Sequence, residues 1–165
     1  MKIAVAGAGY VGLVTAACFS ELGNDVICVD IDEEKIGKLN SDRMPIYEPG
    51  VEEIVRRNRK EKRLAFTTDL KDAISKSEII FICVGTPPKE NGEADLSYVE
   101  NVARTIADVM DSYKLIVDKS TVPGQTGEKV ARTIRAYNRH KADFDVVSNP
   151  EFLREGSAVQ DFMHP

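Results

Sequence analysis

Six residues near the amino end, Gly7-Ala8-Gly9-Tyr10-Val11-Gly12, have the spacing of a loop that cradles a diphosphate. They follow the short apolar run Lys2-Ile3-Ala4-Val5-Ala6 and open an apolar helical stretch. In that setting Gly7 allows a tight turn out of a strand, Gly9 lets a pyrophosphate approach the backbone, and Gly12 lets the helix pack close to a sheet. The diphosphate would meet the free N–H groups and positive dipole end of the helix. The alternative is a glycine-rich turn kept for packing alone. A second residue favours the ligand. Asp30 ends the next apolar run, Val26-Ile27-Cys28-Val29, and stands 23 residues after Gly7, close to the spacing of about 20 at which a carboxylate meets a ribose. Such a carboxylate accepts the ribose hydroxyls of NAD and repels the 2′-phosphate of NADP. No arginine directly follows Asp30, so NAD is expected, and Lys35 is placed to reach the adenosine end.

Three further loops carry polar residues after apolar runs: Val84-Gly85-Thr86-Pro87, Lys119-Ser120-Thr121-Val122-Pro123-Gly124, and Asn149-Pro150-Glu151-Phe152-Leu153-Arg154-Glu155-Gly156. Thr86 and Thr121 each precede a turn with proline. Their hydroxyls suit ribose, nicotinamide or an ordered water, or serve turn chemistry only. Glu151 and Glu155 are spaced i, i+4. In a helix they would share a face at a cost in stability, which points to sugar hydroxyls or a proton-relay water, with Arg154 neutralising one of them. The bland alternative is an ordinary charged turn. His140 and His164 lie in polar surroundings without metal-ligand spacing, so no metal site is expected.

The elements that must position these loops follow from the patterning. Strands are expected at Lys2–Ala6, Val26–Asp30, Leu64–Thr67, Glu78–Val84, Lys114–Asp118 and Asp145–Ser148. Helices are expected at Tyr10–Leu22, Glu33–Leu39, Gly50–Asn58, Leu70–Ile74 behind an Asp69 cap, Leu96–Met110 and Gln125–Tyr137. This alternation implies an α/β fold: one Rossmann-type domain with a doubly wound, mostly parallel sheet. In such sheets ligands bind beyond the carboxyl ends of the strands, which is where the four loops fall.

Composition narrows the function. The chain has 165 residues, 42% hydrophobic and 30% charged, enough for one domain with a full core. A net charge of −5 argues against nucleic-acid binding. The basic run from Arg56 to Arg63 reads as a solvated helix end. Lys2 and the small apolar residues up to Cys18 imitate a signal peptide, but the glycines belong to the nucleotide fingerprint. No apolar run is long enough to span a membrane. Cys18, Cys28 and Cys83 form an odd set without a C-x-x-C pair, as expected of reduced thiols in a cytoplasmic protein. Cys83 reads as a small core residue.

Taken together, the Gly7–Gly12 loop, Val84–Pro87, Ala94-Asp95-Leu96-Ser97-Tyr98-Val99, Lys119–Pro123 and Asn149–Gly156 resemble the NAD-dependent nucleotide-sugar 6-dehydrogenases. The ending Ala158–Pro165 is similar to the UDP-glucose type, and the GDP-mannose branch shares many of these features. The resemblance spans the whole chain. It implies a two-step oxidation of UDP-glucose, alcohol to aldehyde to carboxylate, with two NAD and a cysteine thioester. It also implies that Val11, Asp30, Lys35, Thr86, Thr121 and Glu155 contact NAD beside Gly7, Gly9, Tyr10, Gly12 and Gly85. Glu151, Phe152, Leu153, Arg154 and Glu155 would line the sugar nucleotide, and Glu151 would act as acid/base with Thr121 through water. The family's nucleophilic cysteine has no counterpart among Cys18, Cys28 and Cys83, and Pro123-Gly124-Gln125-Thr126 departs from the commoner Pro-x-Gly-Thr. The chain is therefore expected to be the N-terminal NAD-binding domain of a longer enzyme, homodimeric or larger, and to bind NAD without turning over UDP-glucose. The rivals are a stand-alone, non-catalytic NAD-binding module and a different Rossmann dehydrogenase acting on a hydroxyacid or hydroxyacyl-CoA.

Overall fold

Apolar runs such as Ile79-Ile80-Phe81-Ile82 can be buried only where both faces of a sheet are covered. The computed structural model, which describes residues 1–120 and 126–164, covers them from both sides. Its elements are β1 (Lys2–Ala6), α1 (Tyr10–Glu21), β2 (Asp25–Val29), α2 (Glu33–Asn40), α3 (Val51–Lys60), β3 (Leu64–Thr67) and α4 (Leu70–Lys76). They continue with β4 (Ile79–Ile82), α5 (Ser97–Val109), β5 (Lys114–Asp118), α6 (Thr126–Tyr137), β6 (Phe144–Ser148) and α7 (Ala158–Met163). The strands lie in the order β3-β2-β1-β4-β5-β6. Every strand pairing is parallel, so the sheet is wholly parallel rather than mostly so.

Alternation along each strand divides the apolar residues between two cores. Val5, Phe81 and Val117 face α1, α3 and α7. Ala4, Ile80 and Ile116 face α4, α5 and α6. Helix α1 is buried almost all round, which explains its small residues: Ala16, Ala17 and Cys18 leave room for the sheet on one side and α3 and α7 on the other. Asp32 and Asp69 cap α2 and α4, their carboxylates accepting from the N–H groups of Lys35 and Asp72.

The structure moves several sequence-based boundaries. Strand β2 ends at Val29, which leaves Asp30 just beyond the ladder, its N–H donating to the Thr67 carbonyl at 3.2 Å. Strand β4 ends at Ile82, so the loop that follows already begins at Cys83. Helix α7 is an element that periodicity did not reveal. Six residues are too few to hold a helix without tertiary packing. Here Phe162 meets the edge of Phe19 at 5.1 Å between centroids, and Phe19 in turn meets Phe81 at 4.9 Å. The basic run is largely paired: Arg56 with Glu52, Arg57 with Glu21, Arg59 with Asp42 and Arg63 with Glu61.

Candidate functional site at the strand ends

The strand order reverses between β1 and β4, and a crevice at such a point is where doubly wound sheets bind ligands. The glycine loop leaves β1 at this place. Gly7 has φ +105°, and a Cβ there would stand 2.5 Å from the Cys83 carbonyl oxygen. A Cβ on Gly12 would stand 1.8 Å from the Gly7 oxygen. Both glycines are therefore demanded by the fold. Gly9 differs: nothing lies within 4 Å of where its Cβ would be. Packing gives no reason for that glycine, whereas close approach of a ligand to the backbone does. Gly9 also starts α1 without a capping side chain, and the first turn holds no acidic residue. The leading N–H groups are thus left for an anion. Tyr10 and Val11, in that turn, are partly buried against the core.

Asp30 reaches back to this loop. Its Oδ2 accepts from the Ala8 N–H at 2.8 Å and from Lys35 Nζ at 2.9 Å, and its Oδ1 accepts from the Asp32 N–H at 3.1 Å. Burial alone would raise this carboxyl, but Lys35 and the two amides more than offset it and hold Asp30 below the usual aspartate range. Lys35, expected to point toward an adenosine, is the ion-pair partner of Asp30. Together they form an ion pair without net charge at the end of β2, with both carboxylate oxygens of Asp30 held in place.

The other loops converge on the same sheet edge. After β4, residues 85–95 fold back on themselves: the Asp95 N–H donates to the Pro87 carbonyl at 2.8 Å, and Pro88 bridges Ala94. Gly85 and Thr86 open this turn. After β5, Ser120 Oγ donates to the Val84 carbonyl at 3.1 Å and joins the two loops. Thr121 lies outside the described residues. Lys119 Nζ donates to Asn149 Oδ1 at 3.0 Å and anchors the start of the 149–156 segment.

That segment corrects two expectations. It is not helical, so Glu151 and Glu155 share no helix face; instead the Glu151 carboxylate accepts from the Leu153 N–H two residues on and turns the chain locally. Arg154 neutralises neither glutamate. It forms a two-pronged pair with Asp161 of α7, with Nη2 2.6 Å from Oδ1 and Nε 3.1 Å from Oδ2, which draws the Asp161 carboxyl down to about 2. Phe152 is 86% exposed. Sequence reasoning also missed Glu48, a buried carboxylate that receives three hydrogen bonds from Tyr10, Gly156 and Ala158. Its only sequence signal was an acidic residue beside Pro49 in a punctuated loop.

Cys18, Cys28 and Cys83 are all free and buried. Burial pushes the thiols of Cys18 and Cys83 up to about 12 and that of Cys28 higher still, so none is a ready nucleophile. The described residues hold no cluster of metal-binding side chains and no helix long and apolar enough to cross a membrane. Two open grooves beside α6, one lined by Arg132 and Arg135 and one by Lys89, Lys129 and the Ala94–Ser97 part of the sequence motif, include none of the cofactor, substrate or catalytic residues expected from sequence.

The profile of the NAD-binding domain of the UDP-glucose/GDP-mannose dehydrogenase family matches residues 1–165. The chain belongs to this family. As a UDP-glucose/GDP-mannose dehydrogenase NAD-binding domain it has NAD as its cofactor, and the open space at Gly9, the uncapped α1 and Asp30 suit that dinucleotide. It is 53% identical over 163 residues to the UDP-glucose 6-dehydrogenase TuaD of Bacillus subtilis and 52% identical over 166 residues to a UDP-glucose 6-dehydrogenase of Rhizobium meliloti. These alignments take in 99% and 100% of this chain but only 35% and 38% of those relatives. Among solved structures, a UDP-glucose dehydrogenase from Pyrobaculum islandicum superposes with a TM-score of 0.94 at 42% identity, covering 99% of this chain and 38% of that one. A GDP-mannose dehydrogenase from Pseudomonas aeruginosa, solved as a ternary complex, gives 0.92 at 43% identity, covering 98% and 38%.

Proposed function

We propose that this chain is the N-terminal NAD-binding part of a UDP-glucose 6-dehydrogenase, which oxidises UDP-glucose to UDP-glucuronate. The observation that carries this reading is identity of 52–53% along the whole chain to two UDP-glucose 6-dehydrogenases that are far longer than it is. NAD, when bound, supplies the hydride acceptor for each of the two oxidations. The chain's own residues do the rest of the work on this side of the site. The Gly7–Gly12 loop and the start of α1, with Tyr10 and Val11, hold the diphosphate. Asp30 takes ribose hydroxyls, with Lys35 fixing its other contacts. Gly85, Thr86, Thr121 and Glu155 make further contacts with NAD. Glu151 to Glu155 line the sugar nucleotide, and Glu151, with Thr121 and a water, takes up and returns protons during alcohol oxidation or thioester hydrolysis. The thiol that captures the aldehyde comes from elsewhere in the protein, since all three cysteines here are buried. The whole enzyme works in the cytoplasm as a homodimer or larger assembly.

Calorimetric titration tests the reading. The chain should bind NAD, and Asp30→Asn should weaken that binding about tenfold, a loss of about 1.4 kcal/mol, while narrowing the preference over NADP. With NAD and UDP-glucose together the chain should form neither NADH nor UDP-glucuronate; steady formation of UDP-glucuronate, which needs the thiol step, would refute the assignment of the thiol to another part of the protein. Tighter binding of GDP-mannose than of UDP-glucose would move the substrate to the other branch of the family.

A further inference from the structure

Glu48 has no part in the chemistry above, yet it sits where two ligand loops meet. It lies between α2 and α3 and is 4% exposed. Three donors converge on it. The Tyr10 hydroxyl donates to Oε2 at 2.8 Å, the Gly156 N–H to Oε2 at 2.7 Å, and the Ala158 N–H to Oε1 at 2.9 Å. Burial disfavours its charge, but the donors more than compensate and keep the carboxyl below the usual glutamate range. Burial and then Glu48 itself push the Tyr10 phenol upward, so the hydroxyl stays a donor.

The partners give the arrangement its meaning. Tyr10 is the first residue of α1, directly after Gly9 of the dinucleotide loop. Gly156, at φ +87°, closes the 149–156 segment, and Ala158 starts α7. The Tyr10 hydroxyl also stands 3.4 Å from the Arg154 carbonyl oxygen. One buried carboxylate thus ties the first turn of the cofactor helix to the far end of the segment assigned to the sugar nucleotide. A plain surface staple would need only the two backbone amides. The Tyr10 hydrogen bond adds a link to the turn proposed to hold the diphosphate.

We propose that Glu48 is a positioning residue that couples the two loops: NAD, by fixing Tyr10, tightens the 149–156 segment through the Glu48 carboxylate. This rests on reading the Gly7–Gly12 loop as the NAD site. Amide hydrogen exchange on this chain tests it, with and without saturating NAD. Without ligand, Glu48→Gln should speed exchange in residues 154–158 about tenfold, the effect of losing a charge-assisted hydrogen bond, with β1 and β4 unchanged. Exchange there as slow as in the unaltered chain would overturn the clamp. Tyr10→Phe keeps the carboxylate and both amide bonds, so it tests the link even if Glu48→Gln fails to fold. In the unaltered chain, NAD should slow exchange at the Gly156 and Ala158 amides, which Glu48 holds, beyond the protection that the Glu155 contact gives; in Tyr10→Phe saturated with NAD, that added slowing should vanish. Added slowing retained in Tyr10→Phe, or bound NAD that leaves the segment unchanged in the unaltered chain, would overturn the coupling alone. Failure of the unaltered chain to bind NAD would instead overturn the cofactor reading.

Discussion

Asp118 ends β5 with 1% of its surface exposed. Its Oδ1 accepts from the Ser120 N–H at 3.1 Å, but its Oδ2 finds no hydrogen-bond partner among the described residues. Burial pushes this carboxyl above the ordinary aspartate range, and Ser120 only partly offsets it. The sign of the consequence follows. With the folded pKa above the unfolded one, ionisation penalises the fold; the penalty is absent below about pH 3.9 and grows as pH rises toward the folded pKa. Asp118→Asn keeps an acceptor for Ser120 and removes the charge. It should raise the thermal unfolding midpoint at pH 8 and match the unaltered chain near pH 3. A midpoint unchanged at pH 8 would show that Asp118 is solvated in the fold. Nothing in the run Lys114–Asp118 announced this residue as a buried, under-satisfied acid, because the number of partners an atom finds depends on loops distant in sequence.

At the scale of elements, the β1–α1 corner separates glycines of different purpose. Gly12→Ala would drive a methyl into the Gly7 carbonyl, 1.8 Å away. It should cost about 3 kcal/mol or more and end NAD binding. Gly9→Ala meets open space at an allowed φ of −74°. It should change stability by less than about 1 kcal/mol, yet weaken NAD about tenfold or more. Denaturant unfolding and NAD titration on both variants check this pair, and unaltered NAD affinity in Gly9→Ala would mean that the diphosphate does not approach there. The spacing of Gly7, Gly9 and Gly12 made the corner legible, because strand, turn and helix are local in sequence. Helix α7 was not legible. Its six residues gain their helix from Phe19 and from Glu48, more than a hundred positions upstream.

Across the whole molecule, acid acts unevenly. The two hydrophobic cores have little to titrate, but the carboxyls of Asp30, Glu48 and Asp161 are all held below their ordinary values. Groups with depressed folded pKa values stabilise fully above the unfolded pKa of about 4 and lose that contribution as pH falls through the folded value. Two of the three, Glu48 and Asp161, hold the stretch from Arg154 to Met163. The thermal midpoint should therefore stay level from pH 7 to 5 and drop from pH 4 to 2, with limited proteolysis near pH 3 cutting first between residues 149 and 164. Cleavage that begins instead within the sheet would contradict this order of release.

The sequence by itself determined the alternating strands and helices, the glycine corner, the place of Asp30 at a strand end and the family resemblance. Each of these is local: periodicity, spacing and turn chemistry act over a few to about twenty residues. The tertiary structure alone decided that the Asn149–Gly156 segment is not helical, that Arg154 pairs with Asp161, that Lys35 pairs with Asp30, and that Glu48 joins Tyr10 to Gly156. The physical reason is the same in each case. A charged side chain takes whichever partner the folded chain brings within about 3 Å, and a carboxylate at position 48 meets an amide at position 156 only after the sheet and its helices have placed them together.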